Sequence, residues 1–374
     1  MRSFALLVLL FVPCVANAET DAYIGTYTRG AGGGIHVAKL NETTGALSEP
    51  VLAASMVNPS FVAIHPTRPL LYAVSEVSAA DEKSQGIVAF RILKDGTLKK
   101  LNGRSTQGAS ACHLAVDPTG KCVAVANYTG GSCISFPIES DGSLGEAGSF
   151  HQHVGGSGGH PQRQAGPHAH SINFNAAGTQ AFVADLGKDQ ILLFDVDPSK
   201  GEMTPSKQPN LPLPVGGGPR HFSFHPDGKH AYTNLEMTSE VAKLDYDATQ
   251  GTLRLDGVWS TLPSDAKRDG YSTAECLVHP SGRFLYVSNR GHNSIAAFAI
   301  DPQDGSLTPL GNTSTQGEVP RGFGIDPSGQ FLLVGNRNTG KVVTLRIDLK
   351  TGKLSPTGQS VDVEMPVNVR FRSH

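Results

Sequence analysis

The chain has 374 residues and a formal net charge of −2, from 31 Lys and Arg against 33 Asp and Glu, so it offers no excess of positive charge to a nucleic acid or an anionic membrane. Hydrophobic residues make up 39%, enough for a sizeable core, while 43 Gly and 24 Pro imply many turns.

The N-terminus is different in kind from the rest. Arg2, the apolar run Phe4 to Val12 and Ala16-Asn17-Ala18 have the layout of a secretory signal peptide cleaved after Ala18. Residues 1–18 are expected to be a leader and 19–374 the mature domain, exported to the periplasm or secreted. The run is too short to span a bilayer, and Val12-Pro13 is a poor approach to a lipidated Cys14. Without the leader four cysteines remain, Cys112, Cys122, Cys133 and Cys276, an even number that invites a disulfide reading. Against it, a hairpin turning at Asp117 to Gly120 sets Cys122 opposite Ala115 and Cys112 opposite Val125, so buried thiols are expected.

From there a turn motif recurs along the chain, beginning at His65, Asp117, Asn175, His225, His279 and Asp326, for example His225-Pro226-Asp227-Gly228. Each turn separates two short apolar runs; a third run and a D-G-x-L or T-G-x-L signal usually follow. Four strands per roughly 50 residues is the arithmetic of a β-propeller blade. The chain ends supply a further unit: the residues after the leader read as a blade without its first strand, and Met365 to Phe371 as a first strand with nothing after it. The expectation is an all-β, seven-bladed β-propeller whose first blade is closed by the C-terminal strand. The longest departure from the repeat, residues 151–171, is rich in Gly, His and Gln and reads as a long functional loop.

Aligning the repeats on their turns makes two rings of equivalent positions near one mouth of the channel. One holds Ser60, Cys112, His170, Arg220, Ala274 and Arg321; the other holds Tyr27, Glu76, Tyr128, Leu186, Glu236, Arg290 and Arg337. Hairpin geometry alone places Arg220 near Glu236. The candidate set drawn from these rings and their neighbours is His168, His170, Arg220, His221, Glu236, Glu275, Asn289, Arg290, Arg321 and Arg337. Converging guanidinium groups suit a carboxylate, a phosphate or a developing oxyanion, and a neighbouring Glu or His suits a general base. Ordinary ion pairs across neighbouring blades are the alternative reading of the same charges. The pairs His151/His153 and His168/His170 could hold a metal, but no acidic or Cys ligand lies close in sequence to complete a set, so none is expected. The triplets at Asn41, Asn127 and Asn312 match the glycosylation pattern.

The block Arg163-Gln164-Ala165-Gly166-Pro167-His168-Ala169-His170-Ser171, with Ala184-Asp185-Leu186-Gly187-Lys188-Asp189, Gly218-Pro219-Arg220-His221 and Tyr286-Val287-Ser288-Asn289-Arg290-Gly291, resembles the bacterial lactonase family typified by cycloisomerase-2-type 6-phosphogluconolactonase. The resemblance covers essentially the whole mature chain. It implies a seven-bladed propeller without an obligatory metal, acting on 6-phosphogluconolactone in the pentose phosphate pathway; the export signal leaves a related sugar lactone open as substrate, and a monomer with no cofactor is expected. The fold group is also similar to fungal carboxy-muconate lactonising enzymes. Their proposed active-site His, Arg, Glu and Arg match His170 or His168, Arg220, Glu236 and Arg290. On that basis His170, Arg220, Glu236 and Arg290 are the expected catalytic set, and His168, His221, Glu275, Asn289, Arg321 and Arg337 are expected to bind substrate. A lactonising cycloisomerase and a non-catalytic ligand-binding propeller are the alternatives, since the fold hosts many functions.

Overall fold

Proline presets the first φ of five of the six turns, Asn175-Ala176 being the exception, and glycine takes the positive φ that closes all but the His65 turn, as Gly228 does at φ 67°. In the computed structural model, which describes residues 19–29, 33–78 and 85–372, the hairpins built on these turns extend into seven antiparallel sheets. Six have four strands and one gains a short fifth, Leu211–Pro212. Among the described residues there is no helix. The expected leader, with Cys14, lies outside the described residues.

The sheets are propeller blades. The inner strands of blades 2 to 7 are Val62–Ile64, Ala111–Val116, Ala169–Phe174, Pro219–Phe224, Ser272–Val278 and Pro320–Ile325, each packed against the inner strand of the next blade around the channel. Blade 1 is closed as expected: Pro366–Arg372 pairs antiparallel with Glu19–Thr26, with Tyr23 opposite Arg370 and Ile24 opposite Val369. Each terminus thereby covers the edge that the other would leave open.

The core is a series of layers between blades. Tyr72 and Val74 of blade 2 share one buried cluster with Leu114 and Val125 of blade 3. Two recurring hydrogen bonds tie neighbouring blades together. Buried tyrosine hydroxyls donate to the carbonyl of the next blade's D-G or T-G turn, from Tyr23 to Gly96 (2.9 Å), Tyr72 to Gly142 (3.0 Å), Tyr232 to Gly305 (2.6 Å) and Tyr286 to Gly352 (2.9 Å). At the turns between first and second strands, the Nε2 atoms of His65, His225 and His279 bond to the carbonyls of Gly120, Gly282 and Gly329.

The blade 3 hairpin departs from the expected register. Ala115 faces Ala124 and Leu114 faces Val125, because the hairpin closes at Asp117 N to Cys122 O and leaves four residues in the turn. The Asp117 carboxylate holds that wider turn by accepting the N–H groups of Thr119, Lys121 and Cys122. The shift is an even number of residues, so each side chain keeps its face. All four cysteines of the described chain are buried free thiols. Asn127 is fully buried and bonded to Thr106 and Ser132, which excludes it as a glycosylation acceptor in the folded protein.

Candidate active site

At the channel mouth the inner strands carry β-bulges. Pairing skips Cys112 between Ala111 and His113, His170 between Ala169 and Ser171, and Arg321 between Pro320 and Gly322; in blades 5 and 6 it skips Arg220-His221 and Ala274-Glu275. A bulge leaves its extra residue outside the ladder and re-aims the side chain. In blades 3 to 7 the ring found by aligning repeats is therefore a ring of bulge residues; Ser60 of blade 2 precedes its strand.

These side chains meet the ends of the second strands around a cavity of about 210 Å³, small enough for a single ring compound. Cys112, His170 and Arg321 line it from the bulges, and Glu76, Tyr128, Glu236 and Arg290 from the second strands. Arg163 completes it from the long loop. Larger clefts of about 290, 370, 600 and 720 Å³ lie elsewhere among the described residues and gather no comparable set of ionisable groups.

Glu236 is the electrostatic centre. Its Oε2 lies 2.9 Å from Arg220 Nε and 3.1 Å from an Arg290 Nη, and its Oε1 accepts a 2.7 Å hydrogen bond from Arg163. Burial alone would raise the Glu236 carboxyl; Arg290, Arg220 and Arg163 outweigh it and hold the group well below the ordinary carboxylate range. His170 Nε2 lies 3.9 Å from Oε2. Burial and the charges of Arg220, His221 and Arg321 push the His170 imidazole well below its usual value, so it is neutral at pH 7. The Nε–H groups of Arg220 and Arg290 are buried and make no hydrogen bond within the protein; the Arg220 contact to Glu236 is ionic, with the N–H poorly aligned. On another part of the wall, Tyr27 donates to Glu76 (2.9 Å) and lies under the Arg321 guanidinium at 5.3 Å.

Arg163 is held over the mouth by buried carboxylates beneath its loop. Asp189 takes hydrogen bonds from Gln164 (2.7 Å) and Ser157 (2.7 Å), and Asp185 bonds His153 Nδ1 (2.6 Å) and the backbone N–H of His168 (2.8 Å). The loop is thus a fixed element of the site.

Residues 21–371 match the family described as "Lactonase, 7-bladed beta-propeller". The chain belongs to this lactonase family. A Bacillus subtilis protein named 6-phosphogluconolactonase is 38% identical over 305 residues, covering 81% of this chain and 84% of that one. A Formosa agariphila protein of the same name is 35% identical over 309 residues, covering 81% and 86%. Among solved structures, the periplasmic gluconolactonase of Pseudomonas aeruginosa superposes with a TM-score of 0.88 at 29% identity, covering 95% of this chain and 99% of that one.

The structure brings His170, Arg220, Glu236, Arg290 and Arg321 together and redistributes the other expected residues. His221 and Glu275 lie beneath the pocket, buried side by side. Arg220 Nη1 donates to His221 Nε2 (3.1 Å), so the His221 proton is on Nδ1, which donates to Glu275 Oε1 (2.5 Å). Burial brings the His221 pKa down to about 4, consistent with this neutral tautomer. Glu275 also faces Arg370 of the closing strand at 3.4 Å, and Arg370 stacks over Phe61 at 4.6 Å. A continuous line, Arg370–Glu275–His221–Arg220–Glu236, therefore runs from the closing strand to the pocket. His168 stacks on Tyr128 (ring centroids 4.7 Å apart) and backs the wall without lining it.

Two expectations are corrected. Asn289 is fully buried on the other side of its strand, bonded to both the carbonyl and hydroxyl of Thr261. The residue before a ring position points to the opposite face, and Asn127 and Asn336 likewise bond a threonine carbonyl just after the outer strand of the preceding blade, Thr106 and Thr315. Arg337 occupies the right ring position but bonds to Asn338 at the surface (3.1 Å). Arg290, by contrast, is drawn inward by the Thr273 carbonyl (2.8 Å) and Glu236. The candidate set lacked Arg163, Tyr128, Glu76 and Cys112. The last three stood in the aligned rings, and Arg163 opens the motif block of the long loop, so spacing and motif carried a signal for each.

Proposed function

We propose that this pocket hydrolyses the internal ester of a gluconolactone, opening the ring to the hydroxy acid. The observation that carries the reading is the Glu236 carboxylate, ion-paired with Arg163, Arg220 and Arg290, beside the neutral His170 imidazole at 3.9 Å. Arg290, which lines the cavity and whose Nε–H has no hydrogen-bond partner in the protein, is suited to the lactone carbonyl oxygen, where negative charge develops as water adds; Arg220 supports it from behind through Glu236. A water held between His170 Nε2 and Glu236 gives its proton to His170 as its oxygen attacks the carbonyl carbon. The ring C–O bond then breaks, and the imidazolium returns that proton to the departing ring oxygen. A depressed pKa makes His170 a modest base and a strong acid, which suits an alkoxide leaving group. Glu236 orients the water and balances the transient imidazolium; three guanidiniums keep it from competing for the proton.

Arg321 and Arg163, on other parts of the wall, suit an anionic substituent or the carboxylate product. The small cavity, the signal-peptide-like sequence of residues 1–18 and the likeness to a periplasmic gluconolactonase favour an exported enzyme acting on the unphosphorylated lactone. Titration of acid released from freshly prepared glucono-lactone and its 6-phosphate tests both points. Release above the spontaneous rate, falling about 10²- to 10⁴-fold in His170→Asn, is expected. No release above background from either compound contradicts the reading.

A further inference from the structure

We propose that His225, Asp227 and His230 form a binding site for a zinc-type divalent transition ion on the face of the propeller opposite the pocket. Their ligand atoms lie within 4.8 Å of one another. All three belong to the blade 5 turn and the start of its second strand, at the far end of the hairpin whose other end carries Arg220 and Glu236. Two imidazoles and a carboxylate are a ligand set that suits zinc and its neighbours.

Comparison with the other blades isolates what is particular here. The turn histidines His65, His225 and His279 all use Nε2 to bond the next blade's glycine carbonyl, which puts the proton on Nε2 and a lone pair on Nδ1. In blade 6 that lone pair faces the Ser281 hydroxyl at 2.8 Å, a group able to donate. In blade 5 the equivalent residue is Asp227, whose Oδ1 lies 3.0 Å from His225 Nδ1 and has no proton to give. His225 Nδ1 accepts the backbone N–H of Asp227 at 3.2 Å, as His65 and His279 accept that of Thr67 and Ser281, but the Asp227 carboxylate beside it adds no proton; a cation held between Nδ1 and the carboxylate would replace that long contact. Five residues into the same unit the other turns carry Leu70, Cys122, Gln180, Phe284 and Phe331; this one carries His230, with Nδ1 2.7 Å from Asp227 Oδ2. Both departures from the repeat fall in one turn and converge on one carboxylate.

The outer contacts fit as well. Ligating histidines commonly hold their second nitrogen against a carbonyl or carboxylate. His225 Nε2 bonds Gly282 O at 2.7 Å, and His230 Nε2 faces Asp245 Oδ1 at 3.9 Å. The Asp227 carboxylate is fixed by the backbone N–H groups of Lys229 (2.8 Å) and His230 (3.2 Å). The neighbouring Lys243 ammonium is countered by Asp245 (2.8 Å) and Asp256 (2.7 Å). Because His225 already latches blade 5 to blade 6, an ion here would brace that junction.

The test is calorimetric titration of the full chain, stripped of metal, with zinc chloride at pH 7.5, alongside Asp227→Asn and His230→Phe. The latter installs the residue type found in blades 6 and 7. One equivalent of zinc is expected to bind the parent, at least about tenfold more weakly in each variant, and to raise the melting temperature of the parent alone. Should His230→Phe fail to fold, Asp227→Asn, which keeps the turn's shape, decides. No uptake by the parent, or uptake unchanged by Asp227→Asn, overturns the proposal.

Discussion

Arg220 and Glu236 stand at the two free ends of one hairpin, sixteen positions apart in sequence, and meet as a buried ion pair with Nε 2.9 Å from Oε2. Arg220 is 2% exposed and Glu236 4%, so neither charge is relieved by water. The pair is tolerable because it is part of a larger set that includes Arg163, Arg290 and the His221–Glu275 pair beneath.

Removing the central charge should cost both stability and activity. Glu236→Gln leaves the buried Arg220 and Arg290 without their shared counter-ion, and breaking a buried pair this way typically costs about 3–5 kcal/mol. Urea unfolding of the variant at pH 7.5 is expected to show a lowered midpoint, and lactone hydrolysis a large loss of kcat.

Stability should fall on acidification in two stages. His170, His113 and His221 have depressed pKa values in the folded state, chiefly through burial. The unfolded chain therefore binds more protons once pH drops below about 6.5, and stability, complete above that value, declines. Glu236 and Glu275, the latter lowered to about 2 by His221 and Arg370 against the effect of burial, add a second loss as pH falls below about 4.3. Denaturant midpoints at pH 7.5, 5.5 and 4.0 should decrease in that order, and His221→Asn should flatten the first step.

The line from the closing strand to the pocket predicts a positioning role for Glu275. Glu275→Gln should lower kcat by up to about 10²-fold with little change in KM, because it disturbs the aim of Arg220 without touching the substrate. Arg370→Met should give a weaker effect of the same kind, a split that a purely structural role would not produce in a variant with unchanged melting temperature.

Tyr232→Phe should separate the blade latches from the chemistry. It removes the 2.6 Å bond to Gly305 and strands a buried carbonyl, at a cost of about 1–3 kcal/mol. Unfolding measurements should register that loss while kcat/KM stays at the parent level.

Repeat spacing made the propeller legible, because each turn carries its own backbone chemistry and the two incomplete ends fit each other. The same spacing located Cys112, His170, Arg220 and Arg321 along the chain, yet the reason they turn into one pocket is a backbone bulge in each inner strand that no residue type announces. Spacing fixes a backbone position and leaves the side chain's direction to its neighbours. Arg290 is pulled in by Thr273 and Glu236, whereas Arg337 turns to Asn338. Arg163 is harder to read, since it lies outside the repeat and reaches the pocket through a loop held down by Asp185 and Asp189 and through its own bonds to Tyr128 and Glu236. The two-residue difference from the expected blade 3 register comes from Asp117, which widens the turn by capping its N–H groups.

The most direct test compares two arginines that sequence spacing treats alike and the structure does not. Glucono-lactone hydrolysis, corrected for spontaneous opening, should fall about 10²- to 10³-fold in Arg290→Gln, as for loss of an oxyanion donor, and stay at the parent rate in Arg337→Gln. Full activity in Arg290→Gln, or an equal loss in Arg337→Gln, would contradict the assignment of this pocket as the catalytic centre.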